Sequence, residues 1–207
     1  MLLNVTHCRP AAPENDSVWS NYVIPMNDNH STENYLSSCR SAFWKSVFDA
    51  EVDYLTAYLN GCADVLSVGC GPAVIEGILS DRGFNITGLD VSKEALRAAP
   101  DSVRTVQGPA EKMPFNDSSF DAVIFVVSLQ FIEKPVDAIR EAARVLKISG
   151  RLIALLLNPA SSFFQDKMRQ PDSYVRNIKH LNLKPIEDAI SERFNTDAEN
   201  FLDIDGD

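Results

Sequence analysis

Short apolar runs alternate with helical patterns along the middle of the chain. The runs at 64–68 and 84–89 are each followed by a segment with helical spacing. Runs of this length are typical of strands buried on both faces of a sheet. Strands that alternate with helices over short connections form a parallel sheet covered on both faces. The pattern predicts an α/β fold with a Rossmann-like, doubly wound, mostly parallel sheet. Further strands are predicted at 103–107, 120–127, 151–157 and 200–204.

Helices are predicted before, between and after these strands. Apolar residues from Phe43 to Leu59 recur at helical spacing, which predicts a helix over 33–59 that ends at Asn60-Gly61. Ser92 is a plausible N-cap, and Ser149-Gly150 is predicted as a turn. The other predicted helices lie at 73–82, 92–99, 135–146, 161–168, 174–181 and 185–194.

Composition narrows the function classes. The chain has 207 residues, of which 45% are hydrophobic and 23% are charged, as in a soluble globular domain. Its net charge of −10 argues against broad contact with nucleic acid or anionic membranes. No apolar run is long enough to cross a bilayer. The four cysteines and three histidines form no zinc or redox spacing, so no metal is predicted and a cytoplasmic location is expected.

A glycine-rich turn follows the first of the predicted buried strands. The segment 65–73 runs from the strand through Gly69-Cys70-Gly71 into a helix. Glycine permits positive φ and lets a ligand approach the backbone closely. In an open parallel sheet such a loop lies at the carboxyl end of its strand, where ligands bind. The loop therefore predicts a ligand site at this edge.

An acidic residue strengthens this prediction. Asp90 ends the next strand, 21 positions after Gly69, where a carboxylate can accept hydrogen bonds from both ribose hydroxyls of a nucleoside. The alternative role for Asp90 is an N-cap of the helix near Ser92. Val74 stands where dinucleotide-binding loops have their last glycine, which disfavours pyrophosphate and a nicotinamide-dependent oxidoreductase.

Five segments, in order, resemble the motifs of class I S-adenosylmethionine-dependent methyltransferases of the small-molecule type 11, or UbiE-like, group. The resemblance covers about residues 62–158. The matching segments are Leu66-Ser67-Val68-Gly69-Cys70-Gly71-Pro72-Ala73, Gly88-Leu89-Asp90-Val91-Ser92, Gly108-Pro109-Ala110-Glu111-Lys112-Met113-Pro114-Phe115, Ser119-Phe120-Asp121-Ala122-Val123 and Ala142-Ala143-Arg144-Val145-Leu146-Lys147-Ile148-Ser149-Gly150-Arg151-Leu152.

The resemblance implies S-adenosylmethionine as cofactor, S-adenosylhomocysteine as product and a small-molecule acceptor. The glycine loop would pass under the methionine part, and Asp90 would hold the ribose. Val91, Ala110 and Glu111 would surround the adenine. The fourth predicted strand would line the space beside the methyl group. The implied cofactor-binding residues are Gly69, Cys70, Gly71, Asp90, Val91, Ala110, Glu111, Phe125, Val126 and Val127. Cys70 is interpreted as a small loop residue rather than a nucleophile.

Three residues depart from the family pattern. Ser67 replaces an Asp, Ala73 replaces the third glycine, and Pro109 replaces an Asp that commonly accepts from the adenine amino group. Loss of one charge-assisted hydrogen bond typically costs ~1.5–3 kcal/mol. Glu76 and Glu111 are the candidates to replace the lost charge. The departures motivate a second hypothesis: a non-catalytic module with the methyltransferase fold and weakened or lost cofactor binding.

The two ends of the chain carry the least information. Residues 1–36 are interpreted as an irregular arm or lid and 37–207 as the methyltransferase domain, with a helical insert at about 159–184. The family's sheet closes with two final strands, and only one is predicted here. Either the sheet lacks its last strand, or the arm or a second copy covers its edge, or the gene product is truncated.

The sequence identifies neither the acceptor nor a catalytic residue. Its candidates for contact with substrate are Trp19, Tyr22, Tyr35 and Gln130.

Overall fold

The computed structural model describes residues 2–6, 39 and 41–202, with residues 2–6 described by their backbone. The elements in chain order are β1 (Leu2–Thr6), α1 (Ala42–Tyr58), β2 (Asp64–Val68), α2 (Val74–Asp81), β3 (Asn85–Asp90), α3 (Lys93–Arg97), β4 (Arg104–Gln107), β5 (Phe120–Val126), α4 (Pro135–Val145), β6 (Leu146–Leu157), α5 (Ser162–Arg169), a 3-10 turn (Tyr174–Asn177), α6 (Lys184–Ser191) and β7 (Asp197–Leu202).

The strands form one seven-stranded sheet in the order β4-β3-β2-β5-β6-β1-β7. Neighbouring strands from β4 to β6 are parallel, whereas β1 is antiparallel to both β6 and β7. The order reverses between β2 and β5, so the ends of β2, β3 and β5 meet where such sheets bind ligands. The predicted α/β, doubly wound, mostly parallel sheet is confirmed.

Alternating side chains of the strands build a core on each face of the sheet. Leu66 and Val68 point into a cluster with α4 and α6. Val65 points to the other face, into a cluster with α1 and α2. Because both faces are covered at the centre of the sheet, the central strands β2 and β5 are almost wholly buried, which explains their continuous apolar runs.

The amino-terminal strand corrects one prediction and decides between the alternatives for the edge of the sheet. Leu2–Thr6 lies in the range predicted as an irregular arm, yet it pairs in register with β6, for example Leu3 with Leu156, and also with β7. Of the alternatives that the sequence left open, coverage of the edge beside β6 by the amino-terminal segment is therefore confirmed, and the sheet has seven strands rather than six. The physical reason is the exposed hydrogen-bonding edge of β6, which an extended segment from anywhere in the chain can pair.

Two local predictions are also wrong. Ser149-Gly150, predicted as a turn, lies inside the twelve-residue strand β6. The pairing with β5 passes from Leu146 to Arg151, so the residues between them bulge out of the ladder, and a Cβ on Gly150 would lie 2.8 Å from Leu146 Cδ2, so glycine allows this close bulge. The helix predicted over 174–181 is only a 3-10 turn, because the amides of Lys179 and His180 donate to Gln130 O instead of continuing a helix.

None of the helices among the described residues is long and apolar enough to cross a membrane.

Candidate functional site

The glycine loop and the end of β3 are in direct contact. Gly69 N donates to Leu89 O at 2.7 Å, and Gly71 N donates to Asp90 Oδ2 at 2.8 Å. The loop after β2 and the carboxylate after β3 therefore form one structural unit at the carboxyl edge of the sheet. This is the arrangement that the spacing between Gly69 and Asp90 predicts.

The loop keeps its shape through backbone that approaches other groups closely. Gly69 has φ +72°, and a Cβ there would lie 2.6 Å from Ser128 Cβ. Gly71 has φ +54°, and a Cβ on it would meet no atom within 4 Å. Gly69 is therefore needed for packing against the segment after β5, whereas the space over Gly71 is open on the side where a ligand would lie.

Ala73, the residue in the third glycine position, also adopts a left-handed conformation with φ +55°. A residue with a Cβ pays about 1–2 kcal/mol for this conformation. Ala73 is fully buried in the cluster with α1 and α2, so its methyl group offsets part of that cost by packing. The departure from glycine therefore leaves the loop geometry in place.

Asp90 is oriented by two backbone amides. Besides Gly71 N on Oδ2, Ser92 N donates to Oδ1 at 2.8 Å. The side chain that caps α3 is that of Ser92, which accepts from Ala95 N at 3.1 Å, so Asp90 is not the helix N-cap. Each carboxylate oxygen keeps a further lone pair that can accept a hydroxyl proton.

The predicted adenine-side residues lie at the same edge, around the ends of β3 and β4. Val91 is 60% exposed, which leaves its side chain free to cover a flat ligand. Gly108 N donates to Asp90 O at 3.0 Å and links the two strand ends. Ala110 is buried, and Glu111 Oε1 accepts from Lys134 N at 3.3 Å.

A carboxyl group stands beside the residue that replaces the family's Asp. Ser67 Oγ donates to Glu76 Oε1 at 2.5 Å, and both residues are buried. Burial raises the pKa of Glu76 to about 7 against the opposing effect of the Ser67 hydrogen bond, and the charge of Asp90 raises it further. Of the two candidates for replacing the lost charge, the structure thus places Glu76 next to Ser67.

The thiol of Cys70 is held close to β3. A Cβ on Gly88 would lie 2.6 Å from Cys70 Sγ. Burial and the charges of Glu76 and Asp90 raise the pKa of Cys70 well above its usual range, so the thiol stays protonated. This agrees with its interpretation as a small loop residue.

The end of β5 and the residues after it form the third side of the site. Ser128 Oγ donates to Val68 O at 2.5 Å and joins this segment to β2. Val127 has φ +50° and packs with the cluster around Phe163 and Phe164. Val126 packs on the α1 and α2 face, whereas Phe125 is fully buried on the opposite face, so only the backbone of Phe125 can border a ligand.

Both polar atoms of the Gln130 side-chain amide form hydrogen bonds that stabilise the fold. Gln130 Nε2 donates to Leu157 O at 3.1 Å, and Leu157 N donates to Gln130 Oε1 at 2.7 Å. The side chain is fully buried, so this geometry argues against the predicted contact between Gln130 and substrate. The other substrate candidates, Trp19, Tyr22 and Tyr35, lie outside the described residues.

Sequence reasoning missed one acidic residue near the site, Glu51. It lies one turn from both Val47 and Leu55 on the buried face of α1, and it is 3% exposed. The signal in the sequence was an acid in the middle of an apolar helical face. Among the described residues, no group of His, Cys, Asp and Glu is arranged to hold a metal ion.

Comparison with known proteins shows which family this chain resembles. A family model described as a methyltransferase domain, of type 11, matches residues 66–154. An uncharacterised protein of Methanocaldococcus jannaschii is 30% identical over 152 residues, which cover 70% of this chain and 70% of that protein. A ubiquinone biosynthesis O-methyltransferase of Alkalilimnicola ehrlichii is 31% identical over 60% of this chain and 50% of its own length.

A solved structure supports the fold. A methyltransferase of Thermotoga maritima, described as a possible histamine N-methyltransferase, superposes with a TM-score of 0.67 at 20% identity, over 79% of this chain and 76% of its own. The chain spans between 29% and 70% of the length of the first three curated relatives. By its motifs, its strand order and these relatives, the chain belongs to the type 11 family of class I S-adenosylmethionine-dependent methyltransferases.

Proposed function

We propose that this chain transfers a methyl group from S-adenosylmethionine to a small-molecule acceptor. The observation that carries the proposal is the hydrogen bond from Gly71 N to Asp90 Oδ2, which joins the glycine loop to the ribose-binding carboxylate. The relatives with methyltransferase names support the reaction class.

The residues present fit the cofactor. The open space over Gly71 and the exposed Val91 leave room along the strand ends, and Asp90 offers acceptor lone pairs to a ribose. Glu76, buried next to Ser67, supplies a carboxyl group for the amino end of the methionine part. When bound, S-adenosylmethionine supplies a methyl group that its sulfonium already activates, so the protein chiefly binds, orients and excludes water.

The small acceptor belongs to the same proposal. The net charge of −10 argues against broad contact with nucleic acid. We also propose a cytoplasmic location, in line with Cys62 and Cys70, which form no disulfide with any cysteine that the structure describes.

Titration of the protein with S-adenosylmethionine and S-adenosylhomocysteine tests the proposal. We expect micromolar affinity by calorimetry and a raised melting temperature, because a ligand that binds only the folded protein stabilises it. Asp90→Ala should weaken binding at least tenfold, since a charge-assisted hydrogen bond is worth ~1.5–3 kcal/mol. Asp101→Ala, at an exposed position before β4, is the control and should bind like the wild type.

The non-catalytic module predicts the opposite results. A wild-type protein that binds neither compound at millimolar concentration would refute the methyltransferase. Affinity that survives Asp90→Ala would refute the ribose-binding role of Asp90.

A further inference from the structure

A pocket lies at the amino-terminal edge of the sheet, opposite the edge that carries the glycine loop. Asp64, Asn85 and Arg104 line it, and they are the first residues of β2, β3 and β4. Its volume is about 370 Å³, near the lower end of the range for small-molecule sites. The pocket is therefore separate from the candidate cofactor site and large enough for a small ligand.

The strand register brings four polar side chains together on one face of the sheet. Asp64 pairs with Asn85, and Thr87 pairs with Arg104. Because register partners share a face and Asn85 and Thr87 are two residues apart on β3, all four side chains lie on the same face. Asn116, in the segment before β5, also lines the pocket. The lining therefore consists mainly of groups that donate or accept hydrogen bonds.

Two of these groups have no partner within the protein. Thr87 is only 6% exposed, yet its hydroxyl forms no hydrogen bond with any residue in the described part of the chain. The guanidinium of Arg104 likewise forms no ion pair or hydrogen bond with the residues that the structure describes. Because a buried polar group without a partner costs free energy, a molecule that pairs with the Thr87 hydroxyl gains what the free protein lacks.

The acidic side chain in the pocket already has partners. Asp64 Oδ1 accepts from Asn85 Nδ2 at 2.7 Å. Lys147 Nζ lies 3.6 Å from Asp64 Oδ2 and also pairs with Asp121, so it offsets part of the charge of Asp64. The two ends of the pocket therefore differ. The Arg104 end offers an unpaired cation, whereas the Asp64 end offers a partly neutralised carboxylate and an amide oxygen that accept hydroxyl protons.

The spacing of the two ends indicates the size of the ligand. Arg104 and Asp64 lie two strands and two residues apart in register, which corresponds to about 12 Å between their Cα atoms. Their side chains reach into the space between, so a molecule the size of a monosaccharide can contact both ends. Phe115, which also lines the pocket, offers an apolar surface to the C–H groups of such a molecule.

We propose that this pocket binds a small hydroxylated anion, that is, a sugar phosphate or a sugar acid. Its anionic group pairs with Arg104 and Thr87, and its hydroxyl groups donate to Asp64 and Asn85. Guanidinium groups form strong, charge-assisted hydrogen bonds with both phosphate and carboxylate. The site lies outside the methyl-transfer site and does not depend on the function proposed above.

Calorimetric titration with glucose 6-phosphate and with gluconate tests the proposal, with glucose as the matched neutral compound. We expect a Kd of about 1 mM or lower for at least one of the two anions. Glucose should bind at least tenfold more weakly, because it leaves Arg104 without a partner. The tighter of the two anions shows whether the site takes a phosphate or a carboxylate.

Substitutions in the pocket separate the two unpaired groups. Arg104→Gln should weaken binding of the anion at least tenfold, since it removes the charge. Thr87→Val should also weaken binding, but it should not lower the free energy of unfolding, because the hydroxyl has no partner to lose in the free protein. Arg97→Gln is the matched control. This exposed arginine in the last turn of α3 lies outside the pocket, so the variant should bind like the wild type.

The position of the bound anion is measured by amide chemical shifts. The shifts should change at Thr87, Arg104 and Asn116 and stay unchanged at Gly69 and Gly71. Saturating S-adenosylhomocysteine should not displace the anion, because the two ligands lie at opposite edges of the sheet.

Four results would overturn the inference. They are a Kd above about 10 mM for both anions, equal affinity for glucose, wild-type affinity in Arg104→Gln, and displacement of the anion by S-adenosylhomocysteine. A protein that binds the anion but not S-adenosylhomocysteine would refute the methyltransferase and leave this site standing. The two proposals can therefore fail separately.

Discussion

At the tips of β2 and β3, two chain segments lie so close that single atoms decide which residues fit. Because Gly88 has no Cβ, β3 can pack against the thiol of Cys70. In the same way, the absence of a Cβ on Gly69 allows the glycine loop to pack against Ser128. Such close approach keeps Asp90 within hydrogen-bond distance of the loop. The motif residues of this chain therefore shape the site through the volume they leave free.

Gly88→Ala should lower the free energy of unfolding by about 1–3 kcal/mol, the usual cost of overpacking a core. The added methyl group would lie 2.6 Å from Cys70 Sγ. Urea denaturation measures the loss. Adding Cys70→Ala removes the sulfur and should restore part of the stability, so the two substitutions should not be additive. Strictly additive effects would show that the sulfur is not the obstacle.

At the scale of elements, strands distant in sequence complete the sheet. Strand β1 lies between β6 and β7, and within the described residues it is the strand that joins β7 to the sheet. Helix α1 also holds β7, since Tyr54 and Tyr58 both donate to Glu199 Oε1, at 2.8 and 2.7 Å. The far end of the sheet thus depends on contacts across most of the chain.

Asn4→Pro should disrupt this end of the sheet alone. Asn4 pairs with Leu155 on one side and Glu199 on the other, and proline in the middle of a sheet removes a ladder hydrogen bond. We expect a lower free energy of unfolding and faster amide exchange in β7, the latter measured by hydrogen–deuterium exchange. Amides of β2 and β3 should exchange as in the wild type. Unchanged protection of β7 would contradict the pairing of β1 between β6 and β7.

At the scale of the whole molecule, buried carboxyl groups make the free energy of unfolding depend on pH. The pKa of Glu51 is raised to about 8 and that of Glu76 to about 7, from 4.5 in both cases, mainly by burial. The folded protein therefore binds more protons than the unfolded chain between about pH 4.5 and 8. A carboxyl group whose pKa is lowered by folding, such as that of Asp121, has the opposite effect at lower pH, because it binds fewer protons in the folded protein than in the unfolded chain.

Stability should fall as pH rises from 5 to 8. The contribution of each raised group is fully present below its unfolded pKa and is lost as pH passes its folded pKa. The total change should be on the order of several kcal/mol, at about 1.4 kcal/mol for each pKa unit. Urea denaturation at pH 5, 6, 7 and 8 measures this, and Glu51→Gln should flatten the slope. An equal slope in wild type and variant would show that Glu51 is not buried as a proton-binding acid.

The local part of the fold and the cofactor motif could be read from sequence because their signals lie in neighbouring residues. Periodicity located β2 to β6, and the handedness of strand–helix–strand units dictates how parallel strands follow one another. The spacing of Gly69 and Asp90 predicted their meeting, since the carboxyl ends of adjacent parallel strands share an edge. The Ser92 cap is a similar short-range signal.

Other features depend on residues that are far apart in the chain. The pairing of Leu2–Thr6 with β6, the Ser67–Glu76 hydrogen bond and the use of Gln130 by Leu157 all require the packed molecule. The same holds for Glu51, whose burial next to Glu76 and Tyr174 comes from the packing of α1 on the site. The sequence by itself determined the alternation of strands and helices in the parallel core and the meeting of Gly69 and Asp90 at one edge, because these follow from local pattern and from the geometry of adjacent parallel strands. Only the tertiary structure decided which strand closes the sheet and which carboxyl groups are buried, because desolvation and edge pairing arise when distant segments pack together.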